Sequence, residues 1–552
     1  MMPENTKTEN RKPKTENRLA WISFAFVIIF IYFFGLTIPL LGPDEPRYAQ
    51  VAREMFERGD WVTPTLGGFV WFEKPALLYW LQIAAYKIFG VSELAARFGS
   101  ALFGLGTIFC LWLLGKTVQS SRVESENFLV TDNSKPETQS QSPDFPNWLA
   151  LIAASSIGLL VFSRGASFDI ILTFPITASL IGFFIFDLAQ SRAGAESSAE
   201  TSKKNSLTIR FLPLIAFYFF IGVALIAKGL VGIVFPFAIV AFYHVLSWKS
   251  PGKTFIFSLF WGTILSLIVA SAWYLPMYQT NGWKFIDEFF VQHHFQRYAS
   301  NKYQHPQPFW FFFVVLPLMT IPWLPFFLAA IYDFVKGFFL HQDVKTARTN
   351  GKESLHRFFL LAFSSSSLLR FSIAWLLVPL VFFSLSGSKL PGYILPALPA
   401  ALILTAEYVD RFARKSAKRA LLIKSMALAT FIVIAVILQF FVMRFAGGET
   451  VKTLIEAANE RGYTRERIVN LYAVSHNLEF YGAGRLVRDG EGRQKRYEDV
   501  SVLVKDLKRE PNNRILVLVP QKDVPNLFAD ESVTAETLGE NGESALVLLQ
   551  LK

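Results

Sequence analysis

Between Gly42 and Pro75 the chain reads GPDEPRYAQVAREMFERGDWVTPTLGGFVWFEKP, a charged stretch set among long apolar runs. Its acids are paired, Asp44 with Glu45, or stand beside a base, Glu73 with Lys74. Charge near lipid is costly, so it marks function more readily than packing. A carboxylate here can take a proton from an acceptor hydroxyl or hold a cation. Asp44 can equally cap the helix-like run YAQVAREMFERG that follows it. Lys74 offers a point charge to a phosphate, against a plain interfacial ion pair with Glu73.

Four further groups have the same double character. Asp169 opens an apolar run, where an acid needs a cavity or a partner such as nearby Arg164. His293 and His294, in FVQHHFQRY, point in different directions if helical, so they form no two-histidine chelate. One of them with a distant carboxylate could bind zinc, and Arg297 could take a phosphate. The alternative is a solvated amphipathic loop. Lys389 and Tyr393 fall in SGSKLPGYILPALP, whose Pro and Gly residues break a span, as happens where backbone lines a polar cavity. Lys389 can instead snorkel to the interface.

The elements that must position these groups are membrane helices. Of 552 residues 52% are hydrophobic and only 18% charged, with 56 Phe and 13 Trp. A soluble fold of this size could not hide that much apolar surface. Apolar runs at 20–41, 94–115, 148–163, 168–189, 211–227, 230–246, 254–277, 309–332, 371–385, 391–409 and 421–443 predict about eleven spans. The stretch 77–89 is shorter and is expected to lie along the interface. The net charge of +11 sits mostly in short loops, which reports topology rather than a nucleic-acid partner. Counting spans puts the basic loops on one face with residues 1–19, the cytoplasmic side. The other face then receives 42–93, 278–308, 387–391 and the tail 444–552. That tail turns charged and carries the β-rich runs RIVNLYAV, RILVLV and SALVLLQL, which predict a small α/β domain. The single cysteine, Cys110, excludes an intrachain disulfide and a cysteine metal cluster.

On the motifs PDEPRYAQVAREMFERGDWVTP, FEKPALLYW with the later Arg97–Phe98 pair, HHFQRY and KLPGYILP, the chain resembles the aminoarabinose transferase (ArnT) and protein mannosyltransferase-like enzymes of GT-C type. The resemblance covers most of the chain and is densest from Asp44 to Arg97. It implies a polytopic α-helical fold with 11–13 transmembrane helices and a small C-terminal α/β domain outside. It further implies a monomeric enzyme of the bacterial inner membrane, surrounded by membrane lipids. Such an enzyme moves a sugar from a polyprenyl (undecaprenyl) phosphate to a lipid A, glycan or protein acceptor. By motif, Asp44 would be the catalytic carboxylate, with Glu45 beside it and Asp169 as a second acid. Lys74, Arg297 and Tyr393, with Lys389 near them, would hold the lipid phosphate. Glu73 with His294 or His293 would bind a divalent metal such as zinc.

Two other functions fit many spans around a polar cavity: an O-mannosyltransferase-like enzyme and a lipid or sugar transporter. A transporter should show inverted halves with matching broken helices. No such repeat is visible, and the acids gather on one face rather than at mid-membrane.

Overall fold

The structure is a computed structural model that describes residues 13–129, 144–195, 206–296, 307–343, 366–509 and 512–552. Among them seven helices are long and apolar enough to cross a membrane. A bent helix pair, Phe311–Met319 and Leu324–Lys336, folded by 119°, makes eight when the pair is counted as one span. The chain is a multi-span α-helical membrane protein. All eleven apolar runs are helical, but those at 20–41, 148–163 and 230–246 give helices shorter than a full span. The count of long spans is therefore below the expectation.

The reasons are local. In chain order the first helices are α1 (Pro13–Phe33), α2 (Asp44–Arg58), α3 (Leu77–Phe89) and α4 (Glu93–Leu129). They are followed by α5 (Phe145–Ser155), α6 (Ile157–Phe162), α7 (Phe168–Ala195), α8 (Ser206–Lys228), α9 (Val231–Ser247) and α10 (Lys253–Ile286). The run 148–163 breaks at Ser156, whose backbone is extended. The amide freed there, on Ile157, donates to Ile321 O at 2.8 Å, in the bend of the other broken span. Each break thus satisfies a backbone group that lipid would leave bare. Helix α3 has 13 residues, about 20 Å of rise, too short for a hydrocarbon core of roughly 30 Å.

Helix α7 is apolar all round and packs on α8, α4 and α9, the placement such a helix needs. Helix α10 and the helices from Ala417 to Glu449 keep most of their apolar surface outward, as lipid-facing spans should. Between α2 and α3 a two-residue hairpin forms from β1 (Thr65–Leu66) and β2 (Phe69–Val70).

The C-terminal part holds a five-stranded sheet: β3 (Ile468–Leu471), β4 (Arg496–Tyr497), β5 (Arg514–Pro520), β6 (Val533–Glu540) and β7 (Ser544–Leu551), in order β4-β3-β5-β7-β6. The three β-rich runs supply β3, β5 and β7, whose apolar side chains fill cores on both faces of the sheet. The first strands pair in parallel; β7 runs antiparallel to β5 and β6.

Candidate active site

After α1 ends at Phe33 the chain runs without regular structure to Pro43. The carbonyls exposed by that ending are taken up by two arginines. Arg97, on α4, donates to Leu36 O at 3.0 Å, Pro39 O at 3.1 Å and Ile38 O. Arg164 donates to Ile31 O and Phe34 O. Arg164 is thus committed to backbone, and Asp169 has a different partner.

Glu45 is the hub. Arg97 Nε donates to its Oε1 at 2.8 Å and Nη2 to its Oε2 at 2.7 Å, a two-pronged charge-assisted pair. The Leu41 amide donates to Oε2 at 2.9 Å and the Ala166 amide to Oε1 at 2.8 Å. Burial pushes the Glu45 carboxyl up, but the Arg97 charge and these hydrogen bonds outweigh it and hold it below the ordinary value. With every strong acceptor direction used, Glu45 ties the first loop to α4 and to the turn before α7.

Asp44 differs. It is the first residue of α2, makes no capping bond, and leaves its side chain 56% exposed beside Arg47 at 3.4 Å. The helix-cap reading is therefore not what the structure shows. Arg47 in turn lies 5.5 Å from the Trp71 ring centre. Lys74 and Glu73 pair at 3.0 Å with both side chains largely buried. Tyr48 and Tyr79 sit between these groups. Burial first, then the Glu73 carboxylate, pushes both hydroxyls well above the usual range; Asp44 adds to the push and Arg47 opposes it. The two tyrosines therefore remain neutral hydroxyls. Their rings meet Phe168 edge-on at 4.9 and 5.5 Å, which brings them to the start of α7.

There the second cluster lies. Asp169 forms an ion pair with Lys228, the last residue of α8, and accepts from Ser167 Oγ at 3.4 Å. The Lys228 ammonium lies 4.9 Å from the Tyr393 ring centre. Gly392 presses directly on the acid: a Cβ there would be 1.9 Å from Asp169 Oδ2. Asp169, Lys228 and Tyr393 thus form one contact cluster, and the Ala166 amide ties Glu45 to the turn just before it.

Lys228 was overlooked because a lysine ending an apolar helix is the ordinary snorkelling pattern. His476 was overlooked too. It lies in the loop before the helix Leu478–Tyr481, which packs on α2. Burial lowers its pKa, Arg47 lowers it further, and Glu479 and Asp44 oppose them, so the C-terminal part brings an imidazole into the field of Asp44.

Lys389 is buried with its ammonium on two carbonyls, Ser386 O at 2.6 Å and Gln307 O at 3.0 Å, and so holds the turn before Pro391. His293 and His294 fall in the irregular helix Asp287–Gln296, and their side chains lie outside the described residues, as does Arg297 altogether. Among the described residues no three His, Cys, Asp or Glu side chains converge as a metal site, and Glu73 is engaged by Lys74.

Many membrane helices, a small C-terminal sheet and acid–base pairs at one end of the helix bundle define a multi-span membrane protein with a small α/β domain. Residues 19–125 match the family described as dolichyl-phosphate-mannose-protein mannosyltransferase. Over 425 residues the chain is 28% identical to the undecaprenyl phosphate-alpha-4-amino-4-deoxy-L-arabinose arabinosyl transferase of Shewanella sediminis, covering 76% of this chain and 65% of that one. The Yersinia enterocolitica transferase of the same name is 31% identical over 401 residues, 72% of this chain and 60% of that one. The chain thus spans under two thirds of the length of these relatives. The crystal structure of ArnT from Cupriavidus metallidurans bound to undecaprenyl phosphate superposes with a TM-score of 0.68 at 19% identity, covering 97% of this chain and 98% of that one. Its apo structure matches equally well. The resemblance stated on motifs is borne out, as is the helical multi-span fold with a small C-terminal sheet, while the described residues hold fewer long spans than the 11–13 it implied.

Proposed function

We propose that this protein is a membrane glycosyltransferase using a polyprenyl-phosphate sugar, with Asp44 as its base. The observation that carries the reading is the contrast between adjacent acids. Glu45 is locked by four hydrogen bonds, while Asp44 next to it stands exposed beside Arg47, in the electrostatic reach of the same buried tyrosines, Tyr48 and Tyr79, that Glu73 acts on. The similar transferases and the undecaprenyl phosphate in the ArnT crystal structure support the donor class.

In this mechanism the bond from the anomeric carbon to the phosphate oxygen breaks, and its electron pair leaves on the lipid phosphate. Lys74, Arg297 and Tyr393 are the residues proposed to hold that developing charge; fixed cations in a water-poor site lower the barrier. The acceptor hydroxyl attacks from the opposite side and gives its proton to Asp44, so the anomeric configuration inverts. Asp169 is the second acid. A divalent cation such as zinc on Glu73 with His293 or His294 is kept as a ligand proposal, and no step depends on it. The protein is proposed to act as a monomer in the bacterial inner membrane, N-terminus cytoplasmic, site and C-terminal domain outside.

The test uses purified protein with radiolabelled polyprenyl-phosphate sugars, with lipid A and a protein as alternative acceptors. Wild type should consume donor and Asp44→Asn should lose at least ~100-fold in rate. Equal activity in the variant, or no donor consumed by wild type, ends the reading. The lipid acceptor is expected to be the one labelled, given the lipid-modifying relatives; label on protein would favour the match at 19–125.

A further inference from the structure

The hairpin β1–β2 is held from two sides. From below, Glu54 on α2 accepts from the Gly67 amide at 2.6 Å, the Gly68 amide at 3.2 Å and Thr65 Oγ1 at 2.7 Å. From above comes the C-terminal part. The Arg488 guanidinium lies on Gly67 so closely that a Cβ there would be 1.7 Å from Arg488 Nε. The contact is reciprocal, because a Cβ on Gly492 would be 2.7 Å from Phe69 Cγ. Each side therefore offers a glycine to the other's large side chain.

Arg488 is itself rigidly placed. It pairs with Glu479, both side chains more than nine-tenths buried, and donates to Gly492 O at 2.9 Å. Gln494 Nε2 donates to Glu479 at 2.9 Å, and Asn470 Nδ2, inside β3, donates to Gln494 at 2.9 Å. A buried polar network that is well connected specifies one arrangement. This one runs from the middle of the C-terminal sheet to the hairpin tip. The hairpin's outgoing strand continues through Trp71, whose amide donates to Pro64 O at 2.9 Å, directly to Glu73 and Lys74.

We infer that Arg488 is a positioning residue for the donor-phosphate site, seating Lys74 through the Gly67 turn, so that the C-terminal domain is a working part of that site. This rests on the proposed function, which makes Lys74 a ligand of the donor phosphate. The paired change Glu479→Gln with Arg488→Met removes the guanidinium without orphaning a buried charge. Gly67→Ala strikes the same contact from the other side. Gly68→Ala is the control, since both glycines have positive φ (62° and 81°) but no atom lies within 4 Å of a Cβ on Gly68.

In full-length protein the paired variant and Gly67→Ala should raise donor KM and lower donor kcat/KM at least ten-fold, and Gly68→Ala should leave both within two-fold. Independently of activity, hydrogen exchange at the Trp71 amide should quicken at least ten-fold in the paired variant. Equal effects of Gly67→Ala and Gly68→Ala, an unchanged donor KM, or unchanged Trp71 exchange overturns the inference. If wild type consumes no lipid-linked sugar, the proposed function falls and takes the donor-site role of Arg488 with it, whereas unchanged Trp71 exchange in an active enzyme overturns this inference and leaves the proposed function standing.

Discussion

Arg97 holds Glu45 across 52 residues of chain, through two hydrogen bonds of 2.8 and 2.7 Å, while the same guanidinium collects three carbonyls from the unwound end of the first span. This pair, rather than any helix cap, fixes where Asp44 stands. Removing one member of a buried ion pair leaves the other charge uncompensated, at a cost of about 3–5 kcal/mol. Glu45→Ala should therefore lower thermal stability in detergent by that order and lose activity through unfolding. Asp44→Asn, at an exposed position, should keep the wild-type melting temperature and lose rate alone. If Glu45→Ala melts like wild type, the clamp is not structural.

Lys228 makes a second prediction. Its ammonium joins Asp169 to the face of Tyr393. Methionine keeps the length and removes the charge. Lys228→Met should cut kcat by about 100-fold, the scale for losing one fixed charge stabiliser, and should also lower the melting temperature, because Asp169 loses its partner. Gly392→Ala should resemble it, because the new methyl would stand 1.9 Å from Asp169 Oδ2 and displace the carboxylate. A fall in stability with kcat preserved in both variants would make the cluster a packing device.

What could be read in the chain divides along local and long-range lines. The Asp44–Glu45 pair was legible as chemistry, yet the division of labour between the two was not, since it depends on Arg97 and Ala166, distant in sequence. Asp169 was legible as an acid in need of a partner; nearby Arg164 looked the natural one, but its donors go to Ile31 and Phe34 carbonyls. The run 309–332 is uniformly apolar, so hydropathy shows one span where the chain bends around Thr320–Trp323. Strands β3, β5 and β7 were visible as Val- and Leu-rich runs. Strand β6, VTAETLGE, was not, because an edge strand with alternating polar residues reads as loop.

The final prediction concerns acid, where two groups act in separate windows. His476 has its pKa lowered by burial and by Arg47 from an ordinary 6.5. As pH falls below about 6.5 the unfolded chain takes up this proton before the folded one does, so stability drops from there towards the lower folded pKa. Glu45 is also lowered, from 4.5, but as a carboxylate. Its contribution is fully present above about 4.5 and is lost as pH falls through its folded value. Melting temperature against pH should thus decline in two stages. His476→Gln should remove the first and leave the second; Glu45→Gln should start less stable and flatten the second. A first stage that persists in His476→Gln would show that the imidazole is not held neutral beside Arg47.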